Sequence, residues 1–446
     1  MKIIIAGSGD VGFHLAELLE HENQDIVLID MNQDLLDYAA NHLDVLTLKG
    51  DSSSIEVLQQ AEAHRADLVI AVTTSEKNNL VTCILAKKMG AKQTIARVKN
   101  VEYLSESVRE TFRQLGVDSI ISPTELAANE IVRLVQQVSF TDIFEFEAGK
   151  FSVVGVTLDD QSPLVNTQLA KISGLETNVA LKPIAILRGH ETIIPRGDTV
   201  LRRNDHIYYI AKKQDIDSVI TIAGKKKIKV KNIMILGGNG LGATTAKRLE
   251  KDYNVILIVK GRDECKKLAE SLENTLIIDG DVNNIDLLLD EGLERMDVLL
   301  ALTPNSETNI ITSLTAKNYG VYKTIARVEN KDYTHISQNI GVDTLINKKL
   351  IAANNIFRYV RKGRIEAITS LHGVDAEIIE YLIHKENQLT KKPLRDLHFP
   401  PTALIGGVIR GEESLFPDGN FTLAYGDKVI VFALPEAIAR LDKLFN

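Results

Sequence analysis

Short apolar runs alternate with amphipathic segments along the first hundred residues of the chain. The segment His14–Glu20, for example, places Leu15, Leu18 and Leu19 on one face of a predicted helix. Strands that alternate with such helices predict a doubly wound, parallel α/β sheet. The apolar runs are short and suit strands buried on both faces; they are Ile3–Ala6, Ile26–Ile29, Val45–Leu48, Leu68–Val72 and Thr94–Val98.

The same pattern occurs a second time along the chain. Residues 66–103 and 296–333 align without a gap, and 15 of the 38 paired positions are identical. A smaller motif of proline, glycine, leucine and aspartate at 195–205 recurs at 417–427. Each half therefore contains a larger domain followed by a smaller one. The predicted bounds are 1–138 and 232–364 for two Rossmann-like domains, 139–224 and 365–446 for two small α+β domains, and 225–231 for a linker.

A glycine-rich segment joins the first predicted strand to the first predicted helix. In a GxGxxG loop the first glycine permits a tight turn, the second lets a pyrophosphate approach the backbone, and the third lets the helix pack closely. Asp30 ends the second strand, where a carboxylate binds ribose hydroxyls and disfavours a 2′-phosphate. The sequence therefore predicts NAD or NADH binding, and a glycine turn without a ligand is the alternative. The loop consists of Gly7, Ser8, Gly9, Asp10, Val11 and Gly12.

Further candidate residues follow the carboxyl ends of predicted strands, where an open parallel sheet binds its ligand. Arg97 stands in an otherwise apolar strand. It requires either a carboxylate partner, such as Asp51 or Glu125, or a contact with a phosphate or a neighbouring subunit. The candidates at these strand ends are Gly50, Asp51, Thr73, Thr74 and Arg97.

The second copy keeps this arrangement but changes two positions. Asn239 stands where Gly9 stands in the first copy, and Val259 stands where Asp30 stands. A valine cannot bind ribose hydroxyls, so we expect an intact fold with weakened or altered nucleotide binding. The second loop consists of Gly237, Gly238, Asn239, Gly240, Leu241 and Gly242, and the counterparts at the strand ends are Asp281, Thr303 and Arg327.

Composition narrows the possible functions. The net charge of −8 argues against a nucleic-acid-binding surface, and no run of 18 apolar residues predicts a membrane span. The ten histidines lack metal-ligand spacing, and neither small domain shows a nucleophile beside a base. We therefore expect no metal site and no catalytic residue. The basic segment 224–231 suits a solvated linker or contact with anionic lipid headgroups.

These motifs together resemble the regulator-of-K⁺-conductance (RCK) family. The resemblance is carried by the duplicated GxGxxG domain, the signature Thr94-Ile95-Ala96-Arg97-Val98-x-Asn100 and the small domain with its Pro-x-Gly-Asp turn. Two such modules in one chain are similar to the TrkA family of bacterial Trk potassium uptake systems. The resemblance implies that the loop 7–12 holds the pyrophosphate, Asp30 the ribose, Thr73 and Thr74 the adenosine side, and Arg97 the phosphates.

The resemblance also implies a role and partners. It implies a cytoplasmic subunit, peripheral on the inner face of the cell membrane, that binds NAD or NADH, with ATP or ADP as alternative ligands. Such a subunit docks on a membrane-embedded K⁺-translocating subunit of Trk type. Duplicated modules favour closed symmetric assemblies, so we expect a homotetramer. Regulation of another cation transporter is an alternative function. NAD-dependent dehydrogenation is another, but it needs a base beside the nicotinamide.

Overall fold

The computed structural model describes residues 1–20, 24–146, 149–159, 161–172, 181–189, 191–225, 228–330, 341–361, 367–370, 376–386 and 388–445. Lys226 and Lys227 of the predicted linker lie outside the described residues, as does the predicted domain boundary at 364–365. Within the described ranges, no helix combines the length and the apolar character that crossing a bilayer requires.

A parallel sheet forms the centre of the first half. Its strands are β1 (Lys2–Ala6), β2 (Asp25–Asp30), β3 (Leu46–Lys49), β4 (Leu68–Ala71), β5 (Gln93–Arg97) and β6 (Ser119–Ile121). Their order across the sheet is β3-β2-β1-β4-β5-β6. In the central strand, Ile4 pairs with Val27 on one side and Val69 on the other, and it is fully buried. Full burial of the central strand explains its continuous apolar sequence.

Helices connect these strands, and polar side chains cap the start of some of them. The side chain of Asn32 accepts the amide of Asp34 at the start of one helix, and the Ser75 hydroxyl accepts the amide of Asn78 at the start of another. The helices that accompany this sheet are α1 (Asp10–Glu20), α2 (Gln33–His42), α3 (Ile55–Gln60), α4 (Glu76–Met89), α5 (Glu106–Leu115) and α6 (Pro123–Gln136).

An antiparallel sheet follows the first large sheet. Its strands are β7 (Asp142–Phe146), β8 (Phe151–Thr157), β9 (Leu181–Arg188), β10 (Glu191–Ile193) and β11 (His206–Lys212), in the order β10-β9-β11-β8-β7. Its helices are α7 (Leu169–Ile172) and α8 (Ile216–Ile222). Val219 and Ile220 of α8 pack in one core with Tyr209 of the sheet, so α8 forms a helical layer on one face of this sheet.

The second half repeats both sheets. The parallel strands are β12 (Asn232–Leu236), β13 (Asn254–Val259), β14 (Thr275–Asp279), β15 (Val298–Ala301), β16 (Lys323–Arg327) and β17 (Thr344–Ile346), in the order β14-β13-β12-β15-β16-β17. The helices are α9 (Gly240–Leu249), α10 (Arg262–Ser271), α11 (Ile285–Asp290), α12 (Ser306–Asn318) and α13 (Lys348–Arg361). This order matches that of the first sheet strand for strand.

A second antiparallel sheet completes the chain and confirms the predicted fold class. Its strands are β18 (Ala367–Ser370), β19 (Glu377–Leu382), β20 (Ala403–Arg410), β21 (Glu413–Leu415) and β22 (Lys428–Ala433), in the order β18-β19-β22-β20-β21. The accompanying helices are α14 (Gln388–Lys391) and α15 (Pro435–Phe445). The chain thus contains two doubly wound Rossmann-like sheets and two small α+β sheets.

The two small sheets share one hydrophobic core. Phe151 and Tyr208 of the first sheet and Phe432 of the second belong to a single cluster of buried side chains. A Cβ at Gly407 would lie 2.8 Å from the Phe151 ring, so a glycine is required where the aromatic ring crosses β20. The shared core indicates that the small domains fold as a pair.

The chain divides into two compact units. One contains residues 1–129 and 347–359, and the other contains residues 130–346 and 360–446. Most of α13 therefore belongs to the first unit, although the repeat assigns it to the second half. This division is not the four-domain division of the repeat, whose bounds stay a prediction.

Each small domain contains a buried aspartate that binds an arginine. Asp205 is fully buried and accepts hydrogen bonds from Nε and Nη2 of Arg188, both at 2.8 Å. Asp427 accepts the same two bonds from Arg410, also at 2.8 Å. Asp205 additionally accepts the amide of Arg202 at 2.7 Å. The hydrogen bonds from each arginine to its aspartate raise the pKa of that arginine.

We expect Asp205→Ala to destabilise the second unit by on the order of 3 kcal/mol, because it leaves the partly buried Arg188 guanidinium without its counter-charge. Thermal and urea unfolding measure the loss. Glu264→Ala is the control in the same unit: it removes an exposed pair with Lys267 and should cost less than about 1 kcal/mol. Equal losses would show that the buried pair does not hold the small domain together.

Candidate nucleotide-binding site

The glycine loop of the first half has the geometry of a phosphate-binding turn. Gly7 has a φ of 106°, a conformation that favours glycine, and a Cβ there would lie 2.9 Å from the Thr73 nitrogen. A Cβ at Gly12 would lie 1.7 Å from the Gly7 carbonyl oxygen. A Cβ at Gly9, in contrast, would meet no atom within 4 Å. Gly7 and Gly12 are therefore required by packing, whereas Gly9 borders open space.

Open space at Gly9 lies next to the start of α1. The first amides of a helix lack partners within the helix and carry the positive end of its dipole. Asp10 is exposed at this start, and Val11 is buried beneath it. Amides that face open space at a helix N-terminus suit a phosphate ligand.

Asp30 holds the glycine loop against the end of β2. Its Oδ2 accepts the Ser8 amide at 2.7 Å, and its Oδ1 accepts the Asn32 amide at 2.8 Å. Its carbonyl oxygen accepts the Gly50 amide at 3.0 Å. The carboxylate therefore lies where a ribose-binding acid of a Rossmann domain is required, beside the loop at the carboxyl end of the second strand.

Gly50 and Asp51 have local structural roles. A Cβ at Gly50 would lie 2.6 Å from a methyl group of Val57, so close packing of α3 requires glycine. Asp51 Oδ1 accepts the amide of Ser53 at 2.9 Å and its hydroxyl at 2.8 Å, which closes the turn before α3. These two residues shape the rim of the crevice.

A buried asparagine that the sequence analysis missed ties β4 to β5. The Oδ1 atom of Asn79 accepts the amide of Thr73 at 2.9 Å and its hydroxyl at 2.6 Å. Its Nδ2 atom donates to the carbonyls of Thr73 at 3.1 Å and Arg97 at 2.9 Å. Asn309 makes the same four bonds in the second half. Their identity in the repeat was the signal that could have revealed them. Thr74, in contrast, is exposed.

Arg97 is a partly buried cation at the carboxyl end of β5. Its Nη1 donates to the Val72 carbonyl over 3.4 Å, and its Nε atom is buried without a hydrogen-bond partner. Burial lowers the pKa of Arg97. Among the described residues, no carboxylate forms an ion pair with Arg97, and this holds for Asp51 and Glu125 as well. The salt-bridge alternative is therefore not supported, and the guanidinium remains available to an anionic ligand.

In the second half, an asparagine side chain fills the equivalent of the open space. Asn239 Oδ1 accepts the amide of Leu241 at 3.0 Å and that of Gly242 at 3.5 Å. Its Nδ2 donates to the Leu302 carbonyl at 2.6 Å. The side chain thus occupies the amides at the start of α9 to which a phosphate would bind. The loop is otherwise conserved in shape, since Gly237 has a φ of 103°.

In the second half, the arginine at the end of β16 is paired with a carboxylate two residues later. Arg327 is only 7% exposed, and its Nε donates to Glu329 Oε1 at 2.8 Å, with Nη2 donating to the same oxygen. The first copy has Lys99 at the position of Glu329, so it cannot form this pair. The two copies therefore differ in whether the arginine has an internal counter-charge.

Other residues also distinguish the second crevice from the first. Val259 is buried, and a Cβ at Gly238 would lie 2.6 Å from it. Asp281 forms an ion pair with Lys260 at 2.8 Å, and hydrogen bonding from this lysine lowers the pKa of Asp281 to about 2. Gly240, where Asp10 stands in the first loop, would accommodate a Cβ freely. Thr303 is bound by Asn309, as Thr73 is by Asn79.

Family models match both halves of the chain. The TrkA-N domain matches residues 3–123 and 233–348, and the TrkA-C domain matches residues 153–224 and 378–446. The chain is 33% identical to the Trk system potassium uptake protein TrkA homolog 1 of Methanosarcina mazei, with 100% of both chains covered.

The chain belongs to the TrkA family.

Another relative supports this membership. The Trk system potassium uptake protein TrkA of Vibrio alginolyticus is 33% identical, over 100% of this chain and 99% of its own. The resemblance drawn from the sequence is thus confirmed.

Solved structures show the same fold. The GsuK RCK domain superposes with a TM-score of 0.61 at 17% identity and covers 100% of this chain and 94% of its own. The GsuK channel bound to NAD gives a TM-score of 0.61 at 17% identity and covers 99% of this chain and 78% of its own. At this level of identity the likeness establishes the RCK fold.

Two glycine variants should separate binding from folding in this TrkA-family chain. Gly9→Ala should abolish NADH binding with little change in unfolding temperature, because the added methyl group enters only the open space where a pyrophosphate approaches. Gly12→Ala should destabilise the first unit by about 1–3 kcal/mol or more, because its methyl group collides with the turn. Calorimetric titration and thermal unfolding measure the two effects. Unchanged NADH affinity in Gly9→Ala would place the pyrophosphate elsewhere.

The two arginines should differ in their effect on nucleotide affinity. Arg97→Ala should weaken NADH binding by about 1.5–3 kcal/mol, the range for a hydrogen bond to a charged group. Arg327→Ala serves as the matched control and should leave NADH affinity unchanged, since Glu329 already occupies that guanidinium. Titration of each purified variant tests this, and equal losses would contradict the asymmetry of the two crevices.

Proposed function

We propose that this chain is a regulatory subunit that binds NAD or NADH in its first Rossmann crevice and gates K⁺ uptake by a membrane-embedded translocating subunit of Trk type. The nucleotide acts as a ligand, and the proposal includes no chemical step on it. The subunit is cytoplasmic and peripheral on the inner face of the membrane, and it assembles as a homotetramer, as closed symmetry favours for duplicated modules.

The observation that carries the proposal is the Arg97 guanidinium. A buried charge is stable only when a counter-charge or hydrogen bonds compensate for its desolvation. Arg97 has one long hydrogen bond and a buried Nε without a partner. A nucleotide diphosphate supplies the missing negative charge and the acceptors.

The surroundings of Arg97 fit the rest of a dinucleotide. The guanidinium reaches the Val72 carbonyl, and the next residue, Thr73, packs against Gly7 of the loop. Open space at Gly9 and the carboxylate of Asp30 border the same loop. The phosphates of a dinucleotide would therefore meet the loop amides and Arg97, and its ribose would meet Asp30, all along one edge of the sheet.

The second half provides an internal comparison. There Asn239 occupies the helix amides and Glu329 neutralises Arg327. A crevice whose polar groups are satisfied internally gains little from a phosphate. We therefore assign the principal nucleotide site to the first half, with one nucleotide per chain.

The class of ligand is supported by the acid and by related folds. Asp30 favours NAD or NADH over NADP, because a carboxylate repels a 2′-phosphate. The GsuK channel, which shares the fold, has been solved bound to NAD with a TM-score of 0.61, and bound to ADP with a TM-score of 0.50. ADP and ATP share the adenosine and diphosphate of NAD, so they are competing ligands in the test below.

Gating requires that the nucleotide bind two conformations with different affinity. Allosteric couplings are typically about 1–3 kcal/mol, or roughly 5–150-fold. Such a coupling switches a transporter whose open and closed states are close in free energy. The crevice edge formed by Asp30, Thr73 and Arg97 is the place where nucleotide binding draws three strand ends together.

Flux measurements test the gating role. Rb⁺ uptake into vesicles that contain a Trk translocating subunit and this chain should change several-fold between NADH, NAD and ATP, and Arg97→Ala should abolish the response. Arg327→Ala is the control and should retain it. Flux that is the same with every nucleotide and without the chain would overturn the proposal. A response of Na⁺ flux alone would favour another cation transporter, and steady NADH oxidation would favour a dehydrogenase.

A further inference from the structure

Helix α13 brings a lysine of the second repeat to the glycine loop of the first. The Nζ atom of Lys349 lies 2.5 Å from Oδ2 of Asp10, a residue 339 positions away in the chain. Both residues belong to the first compact unit. Asp10 follows Gly9 directly and is the first residue of α1. The ammonium group therefore lies at the mouth of the proposed phosphate site.

The two partners differ in how firmly they are held. The side chain of Asp10 is 71% exposed, whereas that of Lys349 is 26% exposed. The lysine is thus positioned by packing in the first turn of α13, and the carboxylate is free to turn into solvent. A carboxylate at a helix N-terminus is favourable when the site is empty, but it repels a phosphate at the same position.

We infer that Lys349 is a phosphate ligand of the first crevice. When a nucleotide diphosphate enters the open space at Gly9, the ammonium exchanges Asp10 for a phosphate oxygen, and Asp10 turns outward. This assignment rests on the proposed nucleotide function and adds a second cation to Arg97. The complete site then draws on both halves of the chain.

The repeat supports a role specific to the first crevice. Gly116-Val117-Asp118 corresponds to Gly341-Val342-Asp343, an offset of 225, which pairs Lys349 with Thr124. The first half thus has no lysine at the equivalent position of α6. Among the described residues, a lysine of this helix pair therefore contacts the loop 7–12 and not the loop 237–242. The loop 7–12 is also the one beside which the helix amides and Arg97 are open to a ligand.

The assignment also gives the first turn of α13 a direct contact with the nucleotide. Helix α13 begins with Lys348 and Lys349, ends at Arg361, and leads along the chain to β18 of the second small domain. A lysine that moves between Asp10 and a phosphate acts on the first turn of this helix. Occupancy of the first crevice therefore acts on a helix that the repeat assigns to the second half.

Calorimetric titration of the full chain with NADH, ADP and adenosine tests the inference. Lys349→Ala and Lys349→Gln should weaken NADH and ADP binding about ten-fold, the loss typical of one charge-assisted hydrogen bond. Adenosine, which has no phosphate, should bind as it does to the wild type. Asp10→Asn should bind NADH more tightly, because the competing carboxylate is gone. Lys348→Ala removes the same charge from the adjacent position and is the matched control.

The Asp10→Asn background decides between two roles of the lysine. If Lys349 binds phosphate, Lys349→Gln should still weaken NADH binding about ten-fold in Asp10→Asn. A loss that disappears in that background would mean that the lysine only neutralises Asp10, and it would overturn the assignment. An equal loss for adenosine would show a structural effect and would also overturn it. If the wild type binds neither NADH nor ADP, the proposed function fails as well; if it binds both and Lys349→Ala is unchanged, this assignment alone fails.

Discussion

Both large domains depend on one close contact, the packing of a helix start against the turn that follows the central strand. A Cβ at Gly12 would lie 1.7 Å from the Gly7 carbonyl, and one at Gly242 would lie 1.9 Å from the Gly237 carbonyl. This contact places the first amides of the helix at the sheet edge without intrahelical partners. Whatever satisfies those amides then determines what each domain can do. In the second copy the Asn239 side chain accepts two of them, whereas the first copy has glycine at that position and open space beside it.

The two copies also differ in whether the arginine at the end of the fifth strand has a counter-charge. Arg97 and Arg327 occupy equivalent strand ends and are linked by equivalent asparagines, yet only Arg327 has a carboxylate two residues later. Duplicated domains begin with identical requirements, and a copy that satisfies its polar groups internally becomes a stable scaffold with little need of a ligand. A copy that keeps an uncompensated cation keeps a reason to bind an anion. The proposed nucleotide site therefore lies in the first half, and a ligand that binds there would stabilise the folded chain.

Two further features of the fold connect the two halves of the chain. The two small sheets share a core around Phe151 and Phe432. Helix α13 is assigned by sequence to the second repeat, yet its first turn lies in the first unit beside the glycine loop. A ligand of modest affinity can bias such an arrangement, because only the difference between its affinities for two states matters.

The amino-acid sequence by itself determined the architecture and the location of the crevices. The signals were local or periodic ones: apolar runs such as Ile3–Ala6, the glycine spacing, and the repeat at an offset of 230 residues. Such signals report which residues are buried and which turns the backbone can adopt. They also singled out Arg97, because a charge within an apolar strand requires a partner. Asn79 and Glu329 carried weaker signals, one as an identity in the repeat and one as the residue two positions after Arg327, on the same face of an extended chain. Only the tertiary structure decided that Arg97 has no carboxylate among the described residues, that Asn239 fills its loop, and that Lys349 meets Asp10. The contact of Lys349 with Asp10 and that of Asn239 with the Leu302 carbonyl join groups that are far apart in the sequence, and their separation in sequence carries no information about their approach in space.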